Sequence, residues 1–307
     1  MDKNLIEEIK LNYGLPVRGT IILGNESFRY VYKLLTDSDA YILRLFPLDR
    51  DFEKISHDIE IIKFLEENDF PTQKLIKTIN GEYISKIDGR NSVVTTYIKG
   101  DHPNLSIETM LKMGELMGIL HNLDCKKYPF RTGWNVQSEI YEIRTKVKQL
   151  DLSKLKHSEI IPDVINALEL LPSFDNLPQT IIHTDMHPKN MIKTSDNKYC
   201  FIDWDDAGIG TTILDLGYVL SQVCIGYGEN DSNNLILNED LVKAFLDGYY
   251  SQRDLSKAEK DSLIYAMQAC ALLYTIQYWQ PVIDKINWER YKIEEQYKDK
   301  IRQLVER

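Results

Sequence analysis

Ile181-Ile182-His183-Thr184-Asp185-Met186-His187-Pro188-Lys189-Asn190-Met191-Ile192 is the stretch on which the reading turns. An apolar pair leads into a polar loop and another leads out, so the segment reads as two short β-type runs around a loop. Inside the loop the spacing is His-x-Asp-x-x-x-x-Asn. Thirteen residues past Asn190, Phe201-Ile202-Asp203-Trp204 closes a further apolar run on a carboxylate. Taken alone, a turn with one Asn and two Asp nearby says little, because these residues populate any loop. Its surroundings give it weight.

Upstream lie three apolar, β-branched or aromatic runs, Ile21–Leu23, Tyr30–Leu35 and Tyr41–Phe46. Gly24-Asn25-Glu26-Ser27 and Thr36-Asp37-Ser38-Asp39 separate them, which predicts an antiparallel meander. A short amphipathic helix precedes it at 2–11. Ile55, Ile59, Ile62 and Leu65 recur at helical spacing over 52–67, and Pro71 bounds that helix. Two more strands follow, Glu82–Lys86 and Ser92–Ile98. At Gly100-Asp101-His102-Pro103 the pattern breaks, and helices dominate afterwards. They are expected behind the N-cap Ser106, over 136–150, 158–171, 239–252 and 257–279, and as a charged tail over 287–305. The fold class is therefore α+β, with a strand-rich lobe over 1–97, a hinge near Thr96–Gly100 and a mostly helical lobe over 98–307.

Composition narrows the function. The 307 residues are 43% hydrophobic and 27% charged, ordinary for a globular chain of one or two lobes. A formal net charge of -10 argues against a nucleic-acid partner and is compatible with a cationic small molecule. No apolar run is long enough to span a bilayer, and the first ten residues have no signal-peptide core, so the expectation is a cytoplasmic protein without a membrane partner. Cys125, Cys200, Cys224 and Cys270 form no CxxC pair and no zinc-type spacing. Oligomeric state is not readable.

The loop resembles the protein-kinase catalytic loop H-R-D-x-x-x-x-N, and Asp203 the aspartate of D-F-G. With histidine before the proline and Asp-Trp in the second motif, the resemblance is closer to the aminoglycoside phosphotransferase and choline kinase family. Gly114-Glu115-Leu116-Met117-Gly118-Ile119-Leu120-His121 resembles that family's G-x-x-x-G-x-L-H helix, and Ala207 through Leu216 the segment after its metal-binding Asp. The resemblance implies a protein-kinase-like two-lobed fold and an ATP- and Mg2+-dependent phosphotransferase acting on a small-molecule hydroxyl. Aminoglycoside, choline or amino-alcohol acceptors fit the acidic balance.

Residue by residue, it implies Asp185 as the base toward the acceptor hydroxyl, with Asn190 and Asp203 as magnesium ligands, hard oxygen donors for a hard cation. His187 would contact the γ-phosphate or brace the loop, and His183 would hold the loop. Arg44 stands where kinases carry a strand lysine, and an arginine can still grip phosphate bidentately. Its helix partner would be Asp58 or Glu60, not both, since the two do not share a helix face. Lys33 is an alternative phosphate cation. Ser27 in the single-glycine hairpin would touch phosphate, and adenine would bond to backbone at Thr96, Tyr97 and Ile98. Thr211-Thr212 replaces the family's Asp-Pro, while Asp215 is kept and would support the loop. A protein Ser/Thr kinase, a nucleotide-binding pseudokinase and a metal hydrolase using His183, Asp185, His187 and Asp203 are the competing readings.

Overall fold

Alternation of apolar and polar residues in the first hundred positions produces an antiparallel sheet. In the computed structural model, which describes residues 3–26, 29–228, 231–277 and 282–306, its strands run Gly19–Glu26, Arg29–Leu35, Ala40–Leu45, Arg90–Thr96 and Leu75–Ile76 in spatial order. Ile84–Ile87 also pairs with Arg90–Thr96. The register sets Val31 opposite Arg44 on one side and Val93 opposite it on the other. The N-terminal helix Lys3–Tyr13 supplies Leu5, Ile9 and Tyr13 to a core shared with Leu34, Leu43, Leu45, Ile87 and Val94. Asp51 caps the helix Phe52–Glu67 by accepting from the Glu53 N–H. That helix ends where Asp69 turns left-handed ahead of Pro71.

The chain divides into two compact units, 1–103 with 189–205, and 104–188 with 206–307. The stretch quoted at the outset is thus shared: His183 through Pro188 belong to the second unit, Lys189 through Asp205 to the first. In the first unit, Met191–Thr194 and Tyr199–Phe201 form a hairpin, and Gly100–Asp101 adds a third strand to it. Thr72 fastens that hairpin to the sheet unit. Its hydroxyl donates to Phe201 O at 2.8 Å and accepts from the Trp204 indole N–H at 2.9 Å.

The second unit is mainly helical. Ser106 caps Ile107–His121 by accepting from the Thr109 N–H, as its sequence position predicts. This helix crosses Glu239–Tyr250 at backbone contact. A Cβ on Gly114 would come within 2.0 Å of Phe245 O, and one on Gly248 within 2.0 Å of Leu111 O, so glycine alone fits both positions. The strand Gln179–Ile182 pairs with Gly208–Thr211. The helix Thr212–Tyr218 follows and passes directly into a π-helical turn, Val219–Val223.

Several elements differ from the sequence expectation, three of them in the second unit by more than a fraying end. The helix beginning at Lys257, with a full capping box between Ser256 and Glu259, ends at Thr275. The tail is two helices, Lys285–Gln296 and Lys298–Val305, broken at Tyr297. Ile225–Gly228 and Asp231–Leu237 form a hairpin that no alternation announced. Among the described residues no helix is long and apolar enough to cross a membrane.

Candidate active site

In the first unit, the strand position of Arg44 decides the local electrostatics. Its Nη2 lies 2.6 Å from Asp205 Oδ1 and 3.5 Å from Asp203 Oδ1. Burial acts to lower the guanidinium pKa, but Asp205 and then Asp203 outweigh it, and the net shift is upward. Neither Asp58 nor Glu60 makes an ion pair with Arg44. Arg50 takes Asp58 at 3.3 Å, and Glu60 turns to solvent and pairs with Lys63. The arginine draws its counter-charge from the segment after the hairpin, which no helical periodicity could indicate.

Asp203 has a positive φ of 65°, as does Thr184, just before Asp185, at 71°. Left-handed backbone at a non-glycine residue costs energy and concentrates at functional turns. Asp203 follows the strand Tyr199–Phe201 by two residues, and 39% of its side chain stays exposed. Asn190 is buried, and its backbone O accepts from the Ile202 N–H at 3.0 Å. One backbone hydrogen bond thus ties Asn190 to the residue before Asp203.

A cavity of about 410 Å³ lies in this unit, and Arg44, Asp203, Thr96, Tyr97 and Ile98 are among its walls. Val31, Ile42 and Ile202 give it apolar surface. The Thr96 and Tyr97 N–H groups are committed, to Lys74 O and Ala40 O. Lys33 lies 3.6 Å above the Tyr97 ring, a cation–π position. Ser27 falls outside the described residues.

In the second unit, the loop around Asp185 is hung on Asp215. Both Asp215 oxygens accept loop backbone N–H groups, Oδ2 from His183 and Oδ1 from Thr184, each at 2.7 Å. His121 completes the set, with Nε2 3.2 Å from Asp215 Oδ2 and Nδ1 3.0 Å from the Tyr249 hydroxyl. Burial pushes the His121 pKa down against the pull of Asp215. A neutral ring donating to Asp215 through Nε2–H and accepting from Tyr249 at Nδ1 satisfies both contacts. The terminal His of the G-x-x-x-G-x-L-H helix is therefore a strut under the loop. Thr212 is explained in the same way, since its hydroxyl donates to the buried Glu259 at 2.7 Å, which also accepts from Arg253.

Asp185 itself is partly exposed. The Tyr218 hydroxyl donates to its Oδ1 at 2.5 Å, and His187 Nε2 stands 3.6 Å from its Oδ2. Burial acts to raise its pKa, but His187 and Tyr218 outweigh burial and hold it below the usual carboxylate range. Asp185 is therefore an ionised acceptor at neutral pH. Tyr218 and Arg50 were not singled out in the sequence, and Asp205 only as one of the acidic run 203–206, as a carboxylate for a cationic acceptor. Tyr218 follows Asp215 by three residues, a helical offset that brings it back to the loop; that spacing was the available signal.

Residues 18–255 match the family model described as the phosphotransferase enzyme family (APH), and this span exceeds half the chain. The chain belongs to that family, and it is a kinase. The homoserine kinase of Zymomonas mobilis is 23% identical over 265 residues, covering 85% of this chain and 80% of that protein. The homoserine kinase of Caulobacter vibrioides is 25% identical over 253 residues, covering 79% and 75%. Among solved structures, the amicoumacin kinase hAmiN in complex with AMP-PNP and Ca2+ superposes with a TM-score of 0.69 at 17% identity, covering 96% of this chain and 94% of its own. An ethanolamine kinase of Plasmodium vivax gives 0.63 at 15% identity, with 97% and 88% covered. These likenesses show the α+β, protein-kinase-like fold.

Proposed function

We propose that the protein transfers the γ-phosphate of ATP, with Mg2+, to the hydroxyl of a small amine-bearing molecule. The observation that carries this is the cavity joining Arg44 and Asp203 to the Thr96–Ile98 backbone, a phosphate cation and a metal-type carboxylate at one end and an adenine-type edge at the other. With the Thr96 and Tyr97 N–H groups already used, Ile98 is the segment's remaining donor for a base.

The donor set suits magnesium. Among the described residues there is no group of three or more His, Cys, Asp or Glu side chains placed to hold a metal. Magnesium does not need one: it takes one or two protein oxygens and completes its shell with phosphates and water. The Asn190 amide oxygen and the Asp203 carboxylate supply those two. When bound, the ion would neutralise phosphate charge. The acceptor O–H gives its proton to the Asp185 carboxylate. Its oxygen forms the new bond to the γ-phosphorus as the bond from that phosphorus to the β–γ bridging oxygen breaks, releasing ADP.

Two observations support an amine on the acceptor. Tyr274 packs edge-on against Tyr218 at 5.8 Å and tilted against Trp134 at 5.9 Å, and Asp185, Asp206 and Glu139 act on its hydroxyl. Aromatic faces among carboxylates suit an ammonium group. Relatives named for homoserine and ethanolamine act on amine-bearing alcohols. The four cysteines are free, in keeping with a reducing compartment, and we place the protein in the cytoplasm.

The test is Asp185→Asn, read by ADP release across amino alcohols, hydroxy amino acids and aminoglycosides. Turnover should fall by about 10³-fold or more, while calorimetric binding of Mg2+–ATP stays near wild type. Turnover close to wild type would remove Asp185 from the base role.

A further inference from the structure

Two guanidiniums and three carboxylates meet in the first unit, and one of the guanidiniums is loosely held. Arg44 and Arg50 face Asp58, Asp203 and Asp205, and of the five side chains only Asp203 is substantially exposed. Arg44 Nη2 lies 2.6 Å from Asp205 Oδ1, the separation of a strong charge-assisted hydrogen bond. Arg50 Nη2 reaches Asp58 Oδ2 only at 3.3 Å, long for such a pair. It stands 3.9 Å from Asp205 Oδ2, beyond hydrogen-bond distance. Arg50 Nε is buried and makes no hydrogen bond among the described residues. A guanidinium offers five N–H donors in a rigid fork, so Arg50 keeps donors in reserve.

That reserve matters once Arg44 has a ligand. Among the described residues, Arg44 walls the cavity of about 410 Å³ and Arg50 does not. Phosphate oxygens arriving there would compete with Asp205 for Arg44. A magnesium ion on Asp203 would answer the charge of that carboxylate, two residues away from Asp205. Asp205, 6% exposed at its side chain, would then lose its 2.6 Å partner. A buried carboxylate deprived of its cation is strongly destabilising, so nucleotide binding would carry that cost unless a second cation took over. Arg50 is placed to do so. A shift of about 1 Å brings its Nη2 from 3.9 Å to hydrogen-bond distance of Asp205 Oδ2, and the unused Nε remains available to Asp58.

We propose that Arg50 is a positioning residue for nucleotide binding: it replaces Arg44 as the counter-charge of Asp205 and so frees Arg44 for phosphate. This deepens the nucleotide reading and rests on it. The exchange gives the two members of the Arg50–Asp58 pair opposite effects. Arg50 carries the exchange, whereas Asp58 holds Arg50 away from Asp205 and opposes it. A pair that only braced the start of the helix Phe52–Glu67 would lose the same bond whichever partner was changed.

Calorimetry of the full chain with Mg2+–ATP and with adenosine tests this. Arg50→Met should raise the Kd for Mg2+–ATP about tenfold or more, as expected for losing a hydrogen bond between charged groups. The Kd for adenosine, which brings no phosphate to Arg44, should stay near wild type. Arg50→Lys restores a cation and should recover part of the loss. Asp58→Asn loosens the tether on Arg50 and should lower the Kd for Mg2+–ATP by about twofold to tenfold, even though it lowers the melting temperature. It carries the test if Arg50→Met does not fold. The exchange is overturned if Asp58→Asn leaves that Kd unchanged or raises it. It is also overturned if Arg50→Met binds Mg2+–ATP as wild type does, or weakens adenosine and Mg2+–ATP alike. A wild-type protein that binds no Mg2+–ATP overturns the nucleotide reading itself, and the exchange with it, whereas the variant outcomes overturn the exchange alone.

Discussion

Arg44 and Arg290 are both half-hidden guanidiniums, one in each unit, and their surroundings are opposite. Arg44 has carboxylates at 2.6 and 3.5 Å, and its pKa is raised; Arg290 has only neutral acceptors, and its pKa is lowered. The difference shows how one residue type can be spent in two ways. Arg44 is part of a charge cluster that already balances, so under the proposed function a nucleotide arriving there would compete with Asp203 and Asp205, and a metal ion would compensate those acids. Arg290 is held by neutral acceptors, and its nearest acids, Asp284 and the buried Glu294, act on it without an ion pair among the described residues. A charged residue's role is read from its partners more than from its exposure.

The largest effect should come from breaking the balanced cluster. Arg44→Met leaves Asp205, only 6% exposed at its side chain, without its 2.6 Å partner. Removing one member of a buried pair costs about 3 kcal/mol or more, and the low end applies because Arg50 stands 3.9 Å from the other Asp205 oxygen. The variant should melt earlier and bind Mg2+–ATP more weakly by at least tenfold. Arg44→Lys should recover much of the stability, because one nitrogen of Arg44 meets both carboxylates, and less of the nucleotide affinity, because a lysine offers phosphate a point charge and no fork. Equal affinity in all three proteins would detach Arg44 from the nucleotide.

Next in size is the strut. Asp215→Asn keeps the shape but offers an NH2 to one of two backbone donors, His183 N–H or Thr184 N–H. Losing one charge-assisted hydrogen bond and burying an unpaired N–H should cost about 3 kcal/mol. Melting temperature and kcat should fall together, while ATP affinity holds. Loss of ATP affinity with an unchanged melting point would contradict the strut role.

Much of this was legible in the chain, and the limits are physical. The strands around Arg44 and the helix 52–67 follow from periodicity, because their determinants are local, whereas Asp185, Asn190 and Asp203 were picked out by the resemblance of their spacing to a kinase loop. Gly114 and Gly248 are different. Each is an unremarkable helix glycine until the crossing helix is known, and then a backbone oxygen 2.0 Å from the missing Cβ explains it. The partner of Arg44 was sought on the helix 52–67 because that is where kinase-like spacing points. Arg50 captures Asp58 instead, and an ion pair between distant segments leaves no periodic trace. The break at Tyr297 and the hairpin 225–237 also depend on long-range packing. So does the arrangement of Gln222, Asn287 and Ile225 around Arg290, which joins residues up to 68 positions apart.

The smallest effect expected is also the one that most directly tests how the second unit prepares its carboxylate. Tyr218→Phe removes the hydroxyl that donates to Asp185 and little else, since the ring keeps its edge-on contact with Tyr274. Two consequences separate. At neutral pH the carboxylate is ionised in both proteins, so kcat should fall only several-fold, about 1 kcal/mol, through lost orientation. At low pH the sign is fixed by the wild-type balance. Burial raises the Asp185 pKa, and His187 and Tyr218 together bring it below its ordinary value. Deleting one of the lowering groups moves the pKa up, so the acid limb of the kcat/KM profile should shift to higher pH. Stability follows the same linkage. A carboxyl depressed in the folded state contributes stability above its unfolded pKa of about 4 and loses it as pH falls through the folded value. The variant should therefore lose less stability than wild type on acidification, having less to lose. A lower melting temperature at every pH with an unmoved acid limb would make Tyr218 a packing residue, and His187 and His183 would then be the groups that hold the Asp185 pKa down.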